Sequence, residues 1–209
     1  MTTYDVDSQR LYHLTHVSNL ESIIRDKQIY ADTNPRWDGR PVVDISPEGL
    51  RAERRTTQSA YPDQVISDFV PFSLLPRNSA LELIRDASEF VMIVSGIDQL
   101  TTWQRDFPVL HRPRFLFYDR NPTDPDARAG RARAELRSLV NYRQSSLGLN
   151  SFGALADIEF LVLGGFPIRL ATSLAVPSAA ALTAVQRLVA DRENPITVSI
   201  KPQWFGVRP

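Results

Sequence analysis

Three groups of polar residues stand beside apolar neighbours in this chain, and each has the make-up of a nucleotide-handling site. The first is Leu11-Tyr12-His13-Leu14-Thr15-His16. Strand alternation puts Tyr12, Leu14 and His16 on one face and His13 with Thr15 on the other. Such a polar pair can hydrogen-bond a ribose or a carboxamide, although an edge strand with incidental polar residues reads the same way. The second is Arg51-Ala52-Glu53-Arg54-Arg55. On a helix Arg51 and Arg55 stand one turn apart with Arg54 beside them, a spacing that can clamp a pyrophosphate. A solvated charge cluster is the commoner origin of that pattern. The third is Glu159, which enters the otherwise apolar run Ile158-Phe160-Leu161-Val162-Leu163. A carboxylate is seldom buried without a partner, so Glu159 either faces solvent or does chemistry.

Several chemistries are excluded. The chain has no cysteine, hence no disulfide, thiolate metal site or cysteine nucleophile. His13, His16 and His111 lack metal-ligand spacing, so no metal is expected. No Gly-rich dinucleotide fingerprint, GxSxG elbow or P-loop occurs. The formal net charge of 0 provides no global attraction for nucleic acid. Only Lys27 and Lys201 are lysines, and the arginines cluster from Arg112 to Arg143 around Arg120, Arg128, Arg131 and Arg133. That stretch reads as a solvated helix face or as a surface for phosphates and bases. The opening MTTYDVDSQR lacks a secretory pattern and no run is long enough to span a bilayer, so a cytoplasmic protein without membrane contact is expected.

The elements that must position these residues follow from local pattern. With 209 residues, 43% of them hydrophobic, one domain over 1–209 is expected. Leu11 to Thr15 reads as a strand, followed at once by a helix with Ser18 and Glu21 at capping-box spacing and Leu20, Ile23 and Ile24 as its apolar face. Residues 33–49 form a turn-rich loop. Ser46-Pro47 then starts a helix running through Leu50 to Arg55. Strands are predicted at Ile66–Leu75, Phe90–Ser95, Phe115–Tyr118, Ile158–Leu163 and Ile196–Lys201. Helices are predicted after Pro76 (capped by Asn78 or Ser79), over Ala132–Tyr142, and from Ser178 to near Arg192. Without regular βαβ spacing, this order argues for an α+β fold.

The order and spacing of the blocks resemble the DarT family of ADP-ribosyltransferases, the toxin halves of bacterial toxin–antitoxin pairs. The blocks are Tyr12-His13-Leu14-Thr15-His16 with Asn19-Leu20 and Ile23-Ile24, then Glu53-Arg54-Arg55, then Asp68-Phe69-Val70-Pro71-Phe72 with Pro76-Arg77-Asn78-Ser79. After them come Asp119-Arg120 with Ala127-Arg128, Glu159-Phe160-Leu161-Val162, and Ile200-Lys201-Pro202-Gln203-Trp204-Phe205.

The resemblance implies an ADP-ribosyltransferase fold, a split β-core flanked by helices. It implies NAD⁺ as co-substrate without a metal, and thymidine in single-stranded DNA as acceptor. A macrodomain antitoxin is the implied partner. By resemblance His13 and Thr15 hold the nicotinamide end of NAD⁺, Arg55 is the catalytic arginine near the pyrophosphate, and Glu159 is the catalytic glutamate. Residues 119–155 become the substrate-recognition loop with its supporting helices, and Arg120, Arg128, Arg131 and Arg133 face nucleic acid. Ser73 stands where the family carries an aromatic, so by resemblance stacking on the nicotinamide is either weaker here or supplied by Phe72 or another residue. Ala80-Leu81-Glu82 stands in place of a Met-Leu-Tyr, and Tyr118 in place of a small polar residue. Two alternatives accompany this reading: the same chemistry on RNA, another base or protein, and a non-catalytic nucleotide or nucleic-acid binding module on the same fold.

Overall fold

The computed structural model describes residues 4–36, 43–77, 87–108, 114–190 and 195–206. Strand β1 (Arg10–His16) leads without a linker into helix α1 (Val17–Arg25), followed by β2 (Gln28–Tyr30) and α2 (Glu48–Thr56). Next come β3 (Phe69–Ser73), β4 (Phe90–Gly96), α3 (Ile97–Arg105), β5 (Phe115–Tyr118) and β6 (Ala129–Gly130). The chain continues through α4 (Arg133–Ser146), α5 (Ser151–Leu155), β7 (Glu159–Leu163), β8 (Gly165–Pro167), β9 (Ser173–Val176), α6 (Ala179–Val189) and β10 (Thr197–Ile200). Eight strands form one sheet in the order β10-β9-β4-β1-β3-β7-β5-β6, and β2 pairs with β8 in a second. Pairing is antiparallel throughout except between β9 and β10. This is the expected α+β architecture.

The large sheet is split in its middle. β1 and β4 are in register along the whole of β1, from Arg10↔Gly96 to His16↔Phe90. β3 and β7 pair from Phe69↔Leu163 to Ser73↔Glu159. Between these two halves, β1 and β3 share the single register pair Tyr12↔Ser73 and then diverge.

Burial follows the split. On one face a continuous core crosses both halves, with Leu11, Ile93 and Leu174 on one side and Phe72, Phe160 and Val162 on the other. On the opposite face the core is in two pieces. Tyr12, Leu14, Phe90 and Met92 cover one half, and Phe69, Leu116, Tyr118 and Leu161 the other. Both faces of β4 are therefore covered, and Phe90-Val91-Met92-Ile93-Val94 reads as an unbroken apolar run for that reason. The gap between the two pieces is open.

Several local expectations need correction. The capping box at Ser18 and Glu21 is not used. Because β1 runs straight into α1, Ser18 already lies in the first turn, and the His16 side chain caps the helix by accepting from the Ser18 N–H at 3.2 Å. The strand predicted from Ile66 begins at Phe69, because the Asp68 carboxylate accepts from the Val65 N–H at 2.8 Å and holds Ile66–Asp68 in a 3-10 turn. Pro47 precedes α2 with no side-chain cap. Ser178 caps α6 as expected, through the Ala181 N–H. Helix α3 escaped sequence reading because it follows β4 directly at Gly96, with no loop to mark its start. A Cβ at Gly96 would lie 2.2 Å from Asp98 Oδ1 and would displace only that side chain, since the nearest backbone atom, the Gln9 carbonyl oxygen, is 3.9 Å away. The helix predicted after Pro76 falls mostly outside the described residues. Among the described residues no helix is long and apolar enough to cross a membrane.

Candidate active site

The divergence of β1 and β3 opens a cleft of about 1120 Å³, larger than most small-molecule pockets and roomy enough for a dinucleotide. His13, Thr15, Phe72, Arg120 and Glu159 all line it. Arg55, Arg128, Arg131 and Arg133 do not belong to its walls; Arg51 and Arg54 do.

Glu159 opens β7 two residues after Asp157, whose positive φ of 62° turns the chain toward the strand. It lies in register with Ser73 on one side and Tyr118 on the other. The row Tyr12, Ser73, Glu159, Tyr118 therefore crosses the sheet at the last point where its halves touch. The Glu159 carboxylate accepts both guanidinium arms of Arg54, with Nη2–Oε1 at 2.5 Å and Nη1–Oε2 at 3.2 Å. The side chains are 15% and 20% exposed, so this fork-on-carboxylate pair is shielded from most water.

Of the neighbouring arginines on α2, it is Arg54 rather than Arg55 that reaches Glu159. Successive helical residues point about 100° apart, so only one of the two neighbours on α2 can reach β7. Arg54 does, while Arg55 turns with Arg51 toward Asp32. Arg55 Nε donates to Asp32 Oδ2 at 2.8 Å, and its side chain is 49% exposed. Arg51 donates to Asp32 at 2.5 Å and also to Asp44, so two carboxylates pin it along the cleft wall. Burial pulls the Asp32 carboxyl upward, but the hydrogen bonds and charges of Arg51 and Arg55 outweigh it and hold the group below the usual carboxylate value. Nothing in the spacing of Arg51, Arg54 and Arg55 separates their roles, because the deciding partners, Asp32 and Glu159, are remote in sequence.

His13 Nδ1 lies 2.8 Å from the Pro71 carbonyl and bridges the split between β1 and β3. A carbonyl only accepts, so Nδ1 carries the proton and Nε2 is left as an acceptor. The ring centroid is 5.5 Å from that of Phe72. Burial lowers the His13 pKa from its ordinary value, against a smaller upward pull from Pro71. The unfolded chain therefore binds a proton here more readily than the folded one. The stability this difference contributes is complete above about pH 6.5, the unfolded value, and is lost as pH falls toward the folded value. A melting temperature that falls between about pH 7 and pH 5 is expected, with a shallower fall in His13→Gln, which cannot titrate. Identical slopes in the two proteins would contradict the shielding of this ring.

Thr15 is buried, and its hydroxyl accepts from Asn19 Nδ2 at 3.2 Å. The same Asn19 amide donates to the Val43 carbonyl at 2.8 Å and accepts from the Val43 N–H at 3.0 Å. Asn19 thus pins the loop beside the cleft to α1. In sequence Asn19 shows only as a polar residue beside Leu20 within the first resemblance block, with no sign of its partner.

The other expected nucleic-acid contacts are dispersed. Arg120 is exposed at the cleft edge, 3.6 Å from Asp119 and 3.8 Å from Asp124. The Arg128 N–H donates to Asp119 Oδ1 at 2.9 Å, while its side chain points to solvent. The Arg131 guanidinium lies 4.7 Å from the Tyr61 ring centre and donates to the Ala60 carbonyl. Arg133 pairs with Asp7. Tyr118 is not part of the cleft wall; its hydroxyl accepts from the Ala60 N–H at 3.2 Å within the second core patch. Among the described residues no group of three or more carboxylate or histidine side chains is arranged to hold a metal ion.

A family model described as DarT, ssDNA thymidine ADP-ribosyltransferase, matches residues 12–206. A DNA ADP-ribosyl transferase from Thermus sp. (strain 2.9) is 27% identical over 177 residues, 80% of this chain and 81% of that protein. The fold is similar to that of Thermus sp. 2.9 DarT in complex with ADP-ribosylated ssDNA, with a TM-score of 0.79 at 22% identity over 97% of this chain and 98% of the other. The same Thermus protein in complex with NAD⁺ gives a TM-score of 0.71 at 22% identity over 97% and 99% of the two chains. Thermosipho africanus DarTG in complex with ADP-ribose also gives 0.71, at 15% identity over 95% of this chain and 51% of that one.

Proposed function

Since the chain belongs to the DarT family of single-stranded DNA thymidine ADP-ribosyltransferases, we propose that it moves ADP-ribose from NAD⁺ to thymidine in single-stranded DNA, with Glu159 as the catalytic carboxylate and Arg54 as its partner. The observation that carries this assignment is the Glu159–Arg54 pair, seated where the two halves of the sheet part.

The reaction needs few groups. The bond from nicotinamide to ribose breaks with its electron pair leaving on nicotinamide, and positive charge grows at the anomeric carbon. The Glu159 carboxylate stabilises that charge and accepts the proton from the attacking base nitrogen, whose electron pair forms the new bond to ribose. Arg54 aims the carboxylate through both oxygens. It must release one of them when substrates enter, and its charge then opposes the negative charge left on the base. Arg51, fixed by Asp32 and Asp44, is placed for the pyrophosphate. We assign His13 Nε2 and Thr15 to the nicotinamide end, with the buried Phe72 ring backing His13 from the core. Residues 119–155 form the acceptor side. Single strands suit such a site because a ring nitrogen on the pairing edge is reached without opening a duplex.

Tyr118 bears on the choice between acceptors. Its ring is held away from the cleft, so this departure from the family pattern leaves the acceptor wall to Arg120 and α5. In the cell we assign the chain the part of a cytoplasmic toxin whose modification a macrodomain antitoxin removes. Incubation with labelled NAD⁺ and separate single-stranded DNA, RNA and protein acceptors tests the chemistry. Label confined to thymidine-containing DNA is the expected outcome. Label on RNA or protein reassigns the acceptor, and NAD⁺ that is neither bound nor cleaved leaves a binding module.

A further inference from the structure

Single apolar side chains are common on protein surfaces, but here they gather. Of the five large hydrophobic side chains exposed among the described residues, Tyr142, Leu147, Leu149 and Phe152 all fall within 142–152. Phe152 is 57% exposed. It alone of these lines the cleft that holds Glu159, together with Arg120 and Arg143. None of the ring contacts among the described residues includes it.

The mount beneath Phe152 is stiff. Asn150 caps α5 by accepting from the Gly153 N–H at 2.7 Å. Arg143, in the last turn of α4, donates to the carbonyls of Ala154 at 3.2 Å and Ala156 at 2.7 Å, and to that of Asp119 at 2.5 Å. One guanidinium thus ties the end of α5 to the residue preceding Arg120. An exposed aromatic ring on a helix tied down by hydrogen bonds, in the wall of a cleft that Arg120 also lines, matches what a nucleobase requires: a flat apolar surface, with charge in the same cleft for a phosphate.

We infer that Phe152 is a stacking platform for the nucleobase adjacent to the one presented to Glu159. This deepens the transferase reading and rests on it only for the position of the target base; its occupant is single-stranded nucleic acid. Paired bases offer no free face at such a site, so the platform also favours single strands over duplex.

The test measures binding of a labelled single-stranded oligonucleotide with one central thymidine, by anisotropy, to wild type, Phe152→Ala and Phe152→Trp. Matched oligonucleotides carry an abasic site on either side of the thymidine in turn. Melting temperature and NAD⁺ affinity serve as checks on folding. Stacking predicts that Phe152→Ala weakens oligonucleotide binding by roughly ten- to a hundredfold at unchanged NAD⁺ affinity, and that Phe152→Trp keeps it. One of the two abasic sites should weaken wild type by a similar factor and Phe152→Ala no further, since the lost partner is the same. Equal binding by wild type and Phe152→Ala overturns the platform and leaves the patch to a protein partner. Abasic penalties that are equal in both proteins overturn it too. A wild type that binds DNA through Phe152 but transfers no ADP-ribose removes the transferase reading and keeps the platform.

Discussion

Glu159→Gln should lower the single-turnover rate of ADP-ribosylation by on the order of a thousandfold and leave NAD⁺ affinity within a few-fold of wild type. Glutamine keeps the shape and one acceptor oxygen, so ground-state contacts persist. It removes the negative charge that faces the anomeric carbon and the base that takes the proton. Both losses fall on the transition state, where an interaction changes rate rather than binding. Rapid-quench assays with labelled NAD⁺, alongside calorimetric NAD⁺ titration, separate the two quantities. A variant that retains a tenth of the wild-type rate would take the carboxylate out of the chemistry. Equal losses in rate and affinity would instead make it a binding group. Glutamine is also the fair substitution structurally, because it still offers Arg54 one acceptor where alanine leaves the guanidinium facing an empty pocket.

What the sequence made legible follows a physical line. Strands came through wherever both neighbours and both faces were apolar, as in β4, or where turn residues bracketed a short run, as at Gly164 after β7. Glu159 stood out because an acid in an apolar strand has no inexpensive structural explanation. Strand β9 was missed, although β5 and β10 of the same length were read. The three-residue strands β2 and β8 left no pattern, since three residues carry too little periodicity and their pairing depends on a distant partner. The role of Asn19 was invisible for the same reason: its partner, the Val43 backbone, is supplied by the fold. Cluster membership of the arginines was legible and their direction was not. Arg131 and Arg133 look in sequence like parts of one basic surface, yet one is spread over Tyr61 and the other is tied to Asp7.

The split itself could not be read from local pattern. Tyr12 and Ser73 form one register pair, and divergence beyond it depends on how each half twists away over its own core patch. That divergence gives the site its reach. His13 and Thr15 come from one wall, Phe72 from the other, and Glu159 sits at the fork. A continuous sheet would have placed these side chains on a flat surface in water. Divergence converts strand edges into walls, which keeps charge–charge interactions strong by excluding solvent.

The sharpest separation of sequence from geometry is the arginine pair on α2. Arg54→Ala should reduce transfer by on the order of a hundredfold, and Arg54→Lys should recover little of it, because a lysine has one charged centre and cannot span both Glu159 oxygens. Arg55→Ala should stay within about threefold of wild type, since an exposed ion pair to Asp32 contributes little. The neighbouring positions differ only in direction around the helix, so charge, helix propensity and long-range field are the same for both and cancel in the comparison. Measuring kcat and KM for NAD⁺ in all three variants assigns the effect. A loss confined to kcat in Arg54→Ala means the guanidinium acts on Glu159 or on the charged base. A loss confined to KM means it serves the pyrophosphate. The reverse ranking, with Arg55→Ala the slower enzyme, would require α2 to rotate by about 100° on substrate binding, breaking both Asp32 contacts and the Glu159 pair together. That rotation has a separate readout: Asp32→Asn should then accelerate transfer, whereas with α2 fixed as it stands, loosening Arg51 and Arg55 can only slow it.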